Sequence, residues 1–375
     1  MVKRVQSKTK DFDLNPIGMG TMGFGGYFSK DLKSNRDQVN LIEEAYDLGV
    51  NVIDTAEIYG EGAAEETIGK TCLGVRNNLF IMSKFSPENS SPKDIVRSLE
   101  SSLIRVKRDY LDVYQPHWPQ PGIRLDHTLE ALELLQSSGK IRFVGLSNFP
   151  LNQVSSIDIG SFPSLRFFQC EFNPIEHAKA EELFPTIEKT NGALIAYSPF
   201  REGQIFKDNK FPQFEKFCKD LGFLPSQVLL AWSIFNEHTV AIPKFSTLEH
   251  LRDNIKSLNI RLSSSDMTFI SDLFKPRVVQ IKPKDVVAHI PVKQDERKIY
   301  ENIDDAMNNI HGFNPGPMEI VNEIKLNDGK LYKPVKVKEK NKDGNFVLID
   351  GRLRFWAWVI LYGWDKPIEA VVVDY

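Results

Sequence analysis

The sequence predicts an α/β protein: a (β/α)8 barrel followed by a smaller α+β domain. Three observations carry this. The chain has 375 residues, which suits one barrel of about 250 residues plus a partner. Short β-branched runs alternate eight times with amphipathic stretches, the order expected of a barrel. The GxGxxG spacing at Gly18, Gly20 and Gly23 begins inside the first candidate strand rather than following it, which weighs against an open dinucleotide-binding sheet.

The eight candidate strands are 17–20, 52–54, 79–83, 113–116, 143–147, 167–171, 193–197 and 240–242. Between the first two, QVNLIEEAYDLG spaces Val39, Ile42, Ala45 and Tyr46 three and four apart, one apolar helix face. SPKDIVRSLESSLIRV opens with Ser91 as N-cap and Pro92 at the first helical position. The pattern changes near Lys275-Pro276, which sets the expected domains at 1–275 and 276–375. A linker is expected there, then the strand-like IKPKDVVAHIP, broken by prolines. The helix YENIDDAMNNI, the loop GFNPGP and the strand KPVKV follow. The turn NKDG at 341–344 precedes the strand FVLID, the aromatic helix RLRFWAWVILYG and a last strand at 368–373.

Composition narrows the class. Lys and Arg total 47 against 50 Asp and Glu, a formal net charge of −3. No nucleic-acid partner is expected from that balance. Cys72, Cys170 and Cys218 lie far apart with no CxxC spacing. No metal site or disulfide framework is expected, and a reducing cytoplasm fits. The polar N-terminus has no apolar run, so no signal peptide is expected. The longest apolar run near the C-terminus, FWAWVILYGW, falls far short of the ~20 residues that span a bilayer, so no membrane partner is expected.

Barrel active sites lie at the C-terminal ends of the strands. Polar residues recur there: Asp54 with Tyr59, Ser83-Lys84, His117-Trp118, Ser147-Asn148, Gln169, Tyr197-Ser198 and Pro243-Lys244. A barrel built for packing alone needs none of them. Taken singly, each has a plainer reading. Asp54 and Lys84 read as a buried ion pair, His117 as a core histidine, Gln169 and Tyr197 as packing, and Lys244 as a solvated lysine.

Together the stretches IGMGTMGFG, NVIDTAEIYGEGAAEETIG, MSKF, LDVYQPHWP, GKIRFVGLSNF, QCEFNP, IAYSPF and AIPK resemble the aldo/keto reductases over roughly residues 10–275. The resemblance implies a catalytic tetrad of Asp54, Tyr59, Lys84 and His117. Carbonyl reduction needs hydride at carbon and a proton at oxygen. A free tyrosine, with a pKa of about 10, donates sluggishly at neutral pH. A nearby ammonium is expected to lower that value, with Lys84 as the cation and Asp54 as its anchor. His117 is expected to act as a neutral donor to the substrate oxygen. The resemblance also implies NADP(H) as cofactor. Ser147, Asn148 and Gln169 would hold the nicotinamide carboxamide, and Tyr197 would stack on the ring with Ser198 beside it. Lys244 would meet the 2′-phosphate and Asn254 the adenine edge. Many NADP-specific members carry Ser or Thr after IPK and an Arg six residues past the Lys. Here those places hold Phe245 and His250, which leaves NAD(H) open, with Ser246 or Thr247 as substitute hydroxyl donors. A small aldehyde, ketone or sugar remains open as substrate, with Trp118 and Phe24 as candidate pocket residues.

The tail, through YENIDDAMNNI, KPVKV and LIDGRLRFWAW, resembles ParB/sulfiredoxin-like domains over about 278–375. Its GxxRxxA box falls on Gly351, Arg354 and Ala357, which implies a nucleotide-phosphate site. The catalytic cysteine of sulfiredoxins is replaced by Arg352, so that activity is not expected. A salt bridge from Arg354 to Asp350 stands as the alternative, and Phe355, Trp356, Trp358 and Tyr362 read as helix core. Two other functions stay open for the whole chain: a cofactor-binding sensor or regulatory subunit, and a nucleotide-binding or nucleotide-hydrolysing module in the tail.

Overall fold

The structure is a computed structural model that describes residues 5–6, 11–27, 29–120, 122–287, 300–313, 315–331, 333–339 and 346–373. The chain divides into two compact units. One holds Met1–Phe206 and Phe211–Leu273, the other Lys207–Lys210 and Phe274–Tyr375.

The first unit is an eight-stranded parallel barrel. Its strands are β1 (Met19–Gly20), β2 (Val52–Asp54), β3 (Phe80–Phe85), β4 (Leu111–Pro116), β5 (Ile141–Ser147), β6 (Leu165–Glu171), β7 (Ala193–Tyr197) and β8 (Thr239–Ala241). Each pairs with the next in sequence. Closure comes from a parallel bridge between Ile17 and Ala241 and from the Gly20 N–H, which donates to the Pro243 carbonyl at 3.0 Å. Glycine is needed at that seam, because a Cβ on Gly20 would lie 2.9 Å from the Ile242 carbonyl oxygen. The expected 17–20 strand is thus a bridge followed by a two-residue strand, and Lys84 lies inside β3 rather than past it.

Inside the barrel, Phe80, Met82, Val113, Phe143, Phe167 and Ile195 are buried together. Phe12 packs against Phe143 and Phe167 near the strand starts. Side chains alternate along a strand, so the positions that follow Met82 and Val113 on the inner face are Lys84 and Gln115. The apolar lumen therefore ends, toward the C-terminal ends of the strands, in a buried polar layer.

The outer helices follow from local sequence. Pro92–Val106 begins with Ser91 accepting from the Asp94 N–H at 3.3 Å, as the serine–proline start predicts. It buries Ile95, Leu99, Leu103 and Val106. The helix Asn35–Asp47 buries Leu41, Ile42 and Ala45. Val39 and Tyr46, expected on that face, are only half-buried, so the buried stripe is rotated from the expected one.

In the second unit the strands are β9 (Arg277–Ile281), β10 (Val286–Val287), β11 (Val335–Glu339), β12 (Phe346–Asp350) and β13 (Ile368–Val372), in the order β9-β13-β11-β12-β10. The expected linker after Lys275-Pro276 is instead β9, antiparallel to β13. The expected helix over YENIDDAMNNI is confined to Ile303–Met307. A helix not anticipated, Pro317–Leu326, buries Ile320, Val321 and Ile324. The turn at 341–344 lies outside the described residues. Phe355, Trp356, Ala357, Trp358 and Val359 of the helix Arg352–Tyr362 are buried in this unit's core, as their helix-core reading has it.

Candidate active site

Asp54 is the last residue of β2, and Lys84 lies on the neighbouring β3, where Asp54 pairs with Met82. Their side chains are 3% and 1% exposed and meet at 2.7 Å. The Lys84 ammonium also donates to the Thr55 carbonyl at 2.8 Å and to the Tyr59 hydroxyl at 3.5 Å. Its three N–H groups thus have three acceptors. Burial alone would lower the Lys84 pKa, but Asp54 and Tyr59 outweigh it and hold the pKa above the usual value. Asp54 is pushed up by burial, against Lys84 and Gln169, which hold it down.

Tyr59 sits in the loop after β2. Gly60 follows it at φ 56°, where a Cβ would lie 2.6 Å from the Gly25 carbonyl oxygen. Only glycine lets the two loops approach so closely with that backbone. The Tyr59 hydroxyl is 3.5 Å from His117 Nε2, the same distance as from Lys84 Nζ. The expectation that Lys84 brings this phenol below its ordinary pKa is not met. Burial raises it, and the Lys84 charge offsets only part of that rise.

His117 follows β4, and its N–H donates to the Phe85 carbonyl at 2.9 Å. Its ring stacks on Trp118 with centroids 3.7 Å apart. Burial, then Lys84, lowers its pKa to about 2, so the imidazole is neutral at every working pH. Its buried Nδ1 has no hydrogen-bond partner among the described residues. Phenol, ammonium and neutral imidazole converge on one point, which suits proton delivery to an oxygen that develops negative charge.

Beside this cluster, Asn148 adopts φ 64° and donates to the His117 carbonyl at 3.0 Å and to Ser147 Oγ at 3.1 Å. Tyr197 donates to Asn148 Oδ1 at 2.7 Å. The Ser198 carbonyl accepts from Asn173. Gln169 donates to Asp54 Oδ2 at 3.1 Å. Lys244 is exposed. It donates to the Tyr27 hydroxyl at 2.9 Å and lies 4.6 Å above that ring. Phe245 is buried and His250 exposed, while Thr247 caps the helix Leu248–Ile255 by accepting from the His250 N–H. Asn254 is buried on that helix. Phe24 is 2% exposed and belongs to the core, whereas Trp118 is 43% exposed. In the second unit, Gly351 at φ 89° precedes the helix Arg352–Tyr362. Arg354 reaches Asp350 at 3.4 Å and the Lys333 carbonyl at 3.3 Å, so the salt-bridge alternative is realised.

Three participants were not read from the sequence: the Thr55 carbonyl, Tyr27 and Gln115. Gln115 had a usable signal, since it stands two positions before His117 and shares its strand face. Among the described residues, no cluster of metal-ligating side chains is found, and no helix is long and apolar enough to cross a membrane.

Comparison with known proteins adds to this geometry. The sequence pattern of the Aldo/keto reductase family matches residues 16–274. The methylglyoxal reductase YeaE of Escherichia coli is 29% identical over 271 residues, 70% of this chain and 92% of that protein. An NADH-specific methylglyoxal reductase of Escherichia coli is 26% identical over 323 residues, 72% of this chain and 98% of that protein. The crystal structure of an aldo/keto reductase from Klebsiella pneumoniae, in complex with NADP and acetate, superposes with a TM-score of 0.66 at 29% identity. It covers 73% of this chain and 96% of that one.

Proposed function

The chain belongs to the aldo/keto reductase family, and from that premise we propose that it is an NADP(H)-dependent carbonyl reductase with Tyr59 as proton donor. One observation carries the proposal: the Tyr59 hydroxyl lies 3.5 Å from both the Lys84 ammonium and the neutral His117 imidazole. When bound, NADPH would supply hydride for the carbonyl carbon. Tyr59 gives its proton to the oxygen, Lys84 stabilises the tyrosinate, Asp54 holds Lys84, and His117 orients the oxygen. The NADP complex of the Klebsiella pneumoniae relative supports the cofactor. The residues present fit it. Asn148, Ser147 and Tyr197 form a polar ledge beside the tetrad, and Lys244 offers an exposed cation for a 2′-phosphate. The NADH-specific relative, together with Phe245 and His250, keeps NADH as the competing cofactor.

The proposed substrate is a small aldehyde or ketone, with sugars as the alternative and the cytoplasm as the setting. The test is NADPH oxidation with a panel of methylglyoxal, aromatic aldehydes, ketones and aldoses. Turnover of at least one supports an enzyme. NADPH binding without turnover of any favours a cofactor-binding regulatory subunit.

For the second unit we propose a ParB/sulfiredoxin-like domain with a nucleotide-phosphate site at Gly351 and Arg354. Support comes from the strand–turn–helix order of β12, Gly351 and Arg352–Tyr362. A helix start offers oriented N–H donors to an anion. The pairing of Arg354 with Asp350 favours the competing structural role.

A further inference from the structure

We infer that Gln115 is a positioning residue of this active site: it fixes the amide of Gln169 in the one orientation that supports Asp54. The inference rests on the tetrad reading above. It starts from a chain of contacts. Gln115 is fully buried on the inner face of β4. Its amide nitrogen donates to Gln169 Oε1, and Gln169 Nε2 donates to Asp54 Oδ2 at 3.1 Å. Asp54 Oδ1 in turn receives Lys84 at 2.7 Å.

The orientation follows from what each group is able to do. An ionised carboxylate only accepts, so the end of Gln169 that faces Asp54 is its NH2. Its carbonyl oxygen then faces Gln115, and an oxygen requires a donor there, so Gln115 presents NH2. One wrong flip anywhere sets oxygen against oxygen between buried side chains, where unpaired polar groups are costly. Gln115 is the end of this chain, and its own Oε1 has no partner among the described residues. It therefore gives up one hydrogen bond of its own while completing that of Gln169.

The fold keeps space for that oxygen. A Cβ on Gly145, in the adjacent β5, would overlap Gln115 Oε1. The φ of Gly145 is not positive, so space and not backbone conformation favours glycine there: a Cβ would meet Gln115 Oε1 first, then Val113 Cγ1 at 3.1 Å and Gln115 Cβ at 3.2 Å. The two residues form one device: Gly145 leaves the room, Gln115 fills it, and Gln169 is locked toward Asp54. The groups facing Asp54 are Lys84 from β3, Gln169 from β6 and Tyr59 from the loop after β2, with His117 beyond Tyr59.

Two variants and two readouts test this in the full chain. Gln115→Leu keeps the volume and removes the donor. Gly145→Ala removes no polar group but crowds the Gln115 amide and, less closely, Val113. In both, the side-chain NH2 resonances of Gln169, assigned with Gln169→Leu in protein labelled with 15N-glutamine, should lose hydrogen-exchange protection at least tenfold. In both, the acid limb of the kcat/KM profile should move up by about one pH unit, since Asp54 loses a charge-assisted donor and binds its proton more tightly. KM for NADPH should change less than kcat. Unchanged protection overturns the proposal. So does lost protection with an unmoved pH profile, because Gln115 would then serve packing only. If the wild type turns over no carbonyl, the reductase reading fails, and the exchange measurement alone still decides whether Gln115 holds Gln169.

Discussion

The Lys84 ammonium lies 2.7 Å from the Asp54 carboxylate with both side chains inside the barrel. A pair this deep loses more when one partner is removed than the intact pair contributes, because the remaining charge is left uncompensated.

Lys84→Met should therefore destabilise the barrel by about 3–5 kcal/mol in urea unfolding at pH 7. Adding Asp54→Asn should return most of that loss. Neither variant should reduce a carbonyl at more than a small fraction of the wild-type rate. Full stability of Lys84→Met would mean that the pair is not formed.

His117 gives a pH dependence with a definite sign. Its folded pKa is lowered to about 2 from an ordinary value of 6.5. The unfolded chain therefore takes up a proton that the folded chain refuses. Stability from this group is complete above pH 6.5 and is lost progressively as pH falls toward 2. Between pH 7 and pH 5 the wild type should lose about 2 kcal/mol more than His117→Gln. Parallel losses in the two proteins would show that His117 titrates normally.

Lys244→Ala should weaken NADPH roughly tenfold to a hundredfold and NADH little, since a charge-assisted contact to phosphate contributes about 1.5–3 kcal/mol. Fluorescence titration with both cofactors reads this directly. Equal losses would remove Lys244 from the 2′-phosphate.

Arg354→Ala should abolish calorimetric binding of ATP, CTP or GTP by the second unit and leave aldehyde reduction unchanged. Absence of wild-type binding at millimolar nucleotide would leave Arg354 with its structural pairing to Asp350.

The barrel was legible because its strands are buried on both faces and so read as short apolar runs, such as VID and ALIAY, between helical stretches. Asp54, Tyr59, Lys84 and His117 stand out as a set through the resemblance to the aldo/keto reductases, helped by Asp54 and His117 lying at or just past a strand end. Gln115 is harder to read than its neighbours, because a buried amide earns its place only through partners on other strands. Tyr27 could not be paired with Lys244 from sequence, since 217 positions separate them and a loop sets their meeting. In the second unit, RVVQI follows a lysine–proline pair and reads as linker. Only its pairing with IEAVV makes it a strand. The helix Pro317–Leu326 was readable: Pro317 stands at its first position, and Ile320, Val321 and Ile324 share one face.

The central claim is that Tyr59 supplies the proton. Tyr59→Phe removes one oxygen from a hydroxyl that touches Lys84 and His117 at 3.5 Å and leaves the ring in place. Turnover of the best aldehyde and NADPH affinity should be measured side by side. The account predicts a loss in kcat of roughly a hundredfold or more, the usual reach of general acid catalysis, with NADPH binding within about twofold of wild type. Near wild-type turnover in Tyr59→Phe would contradict it.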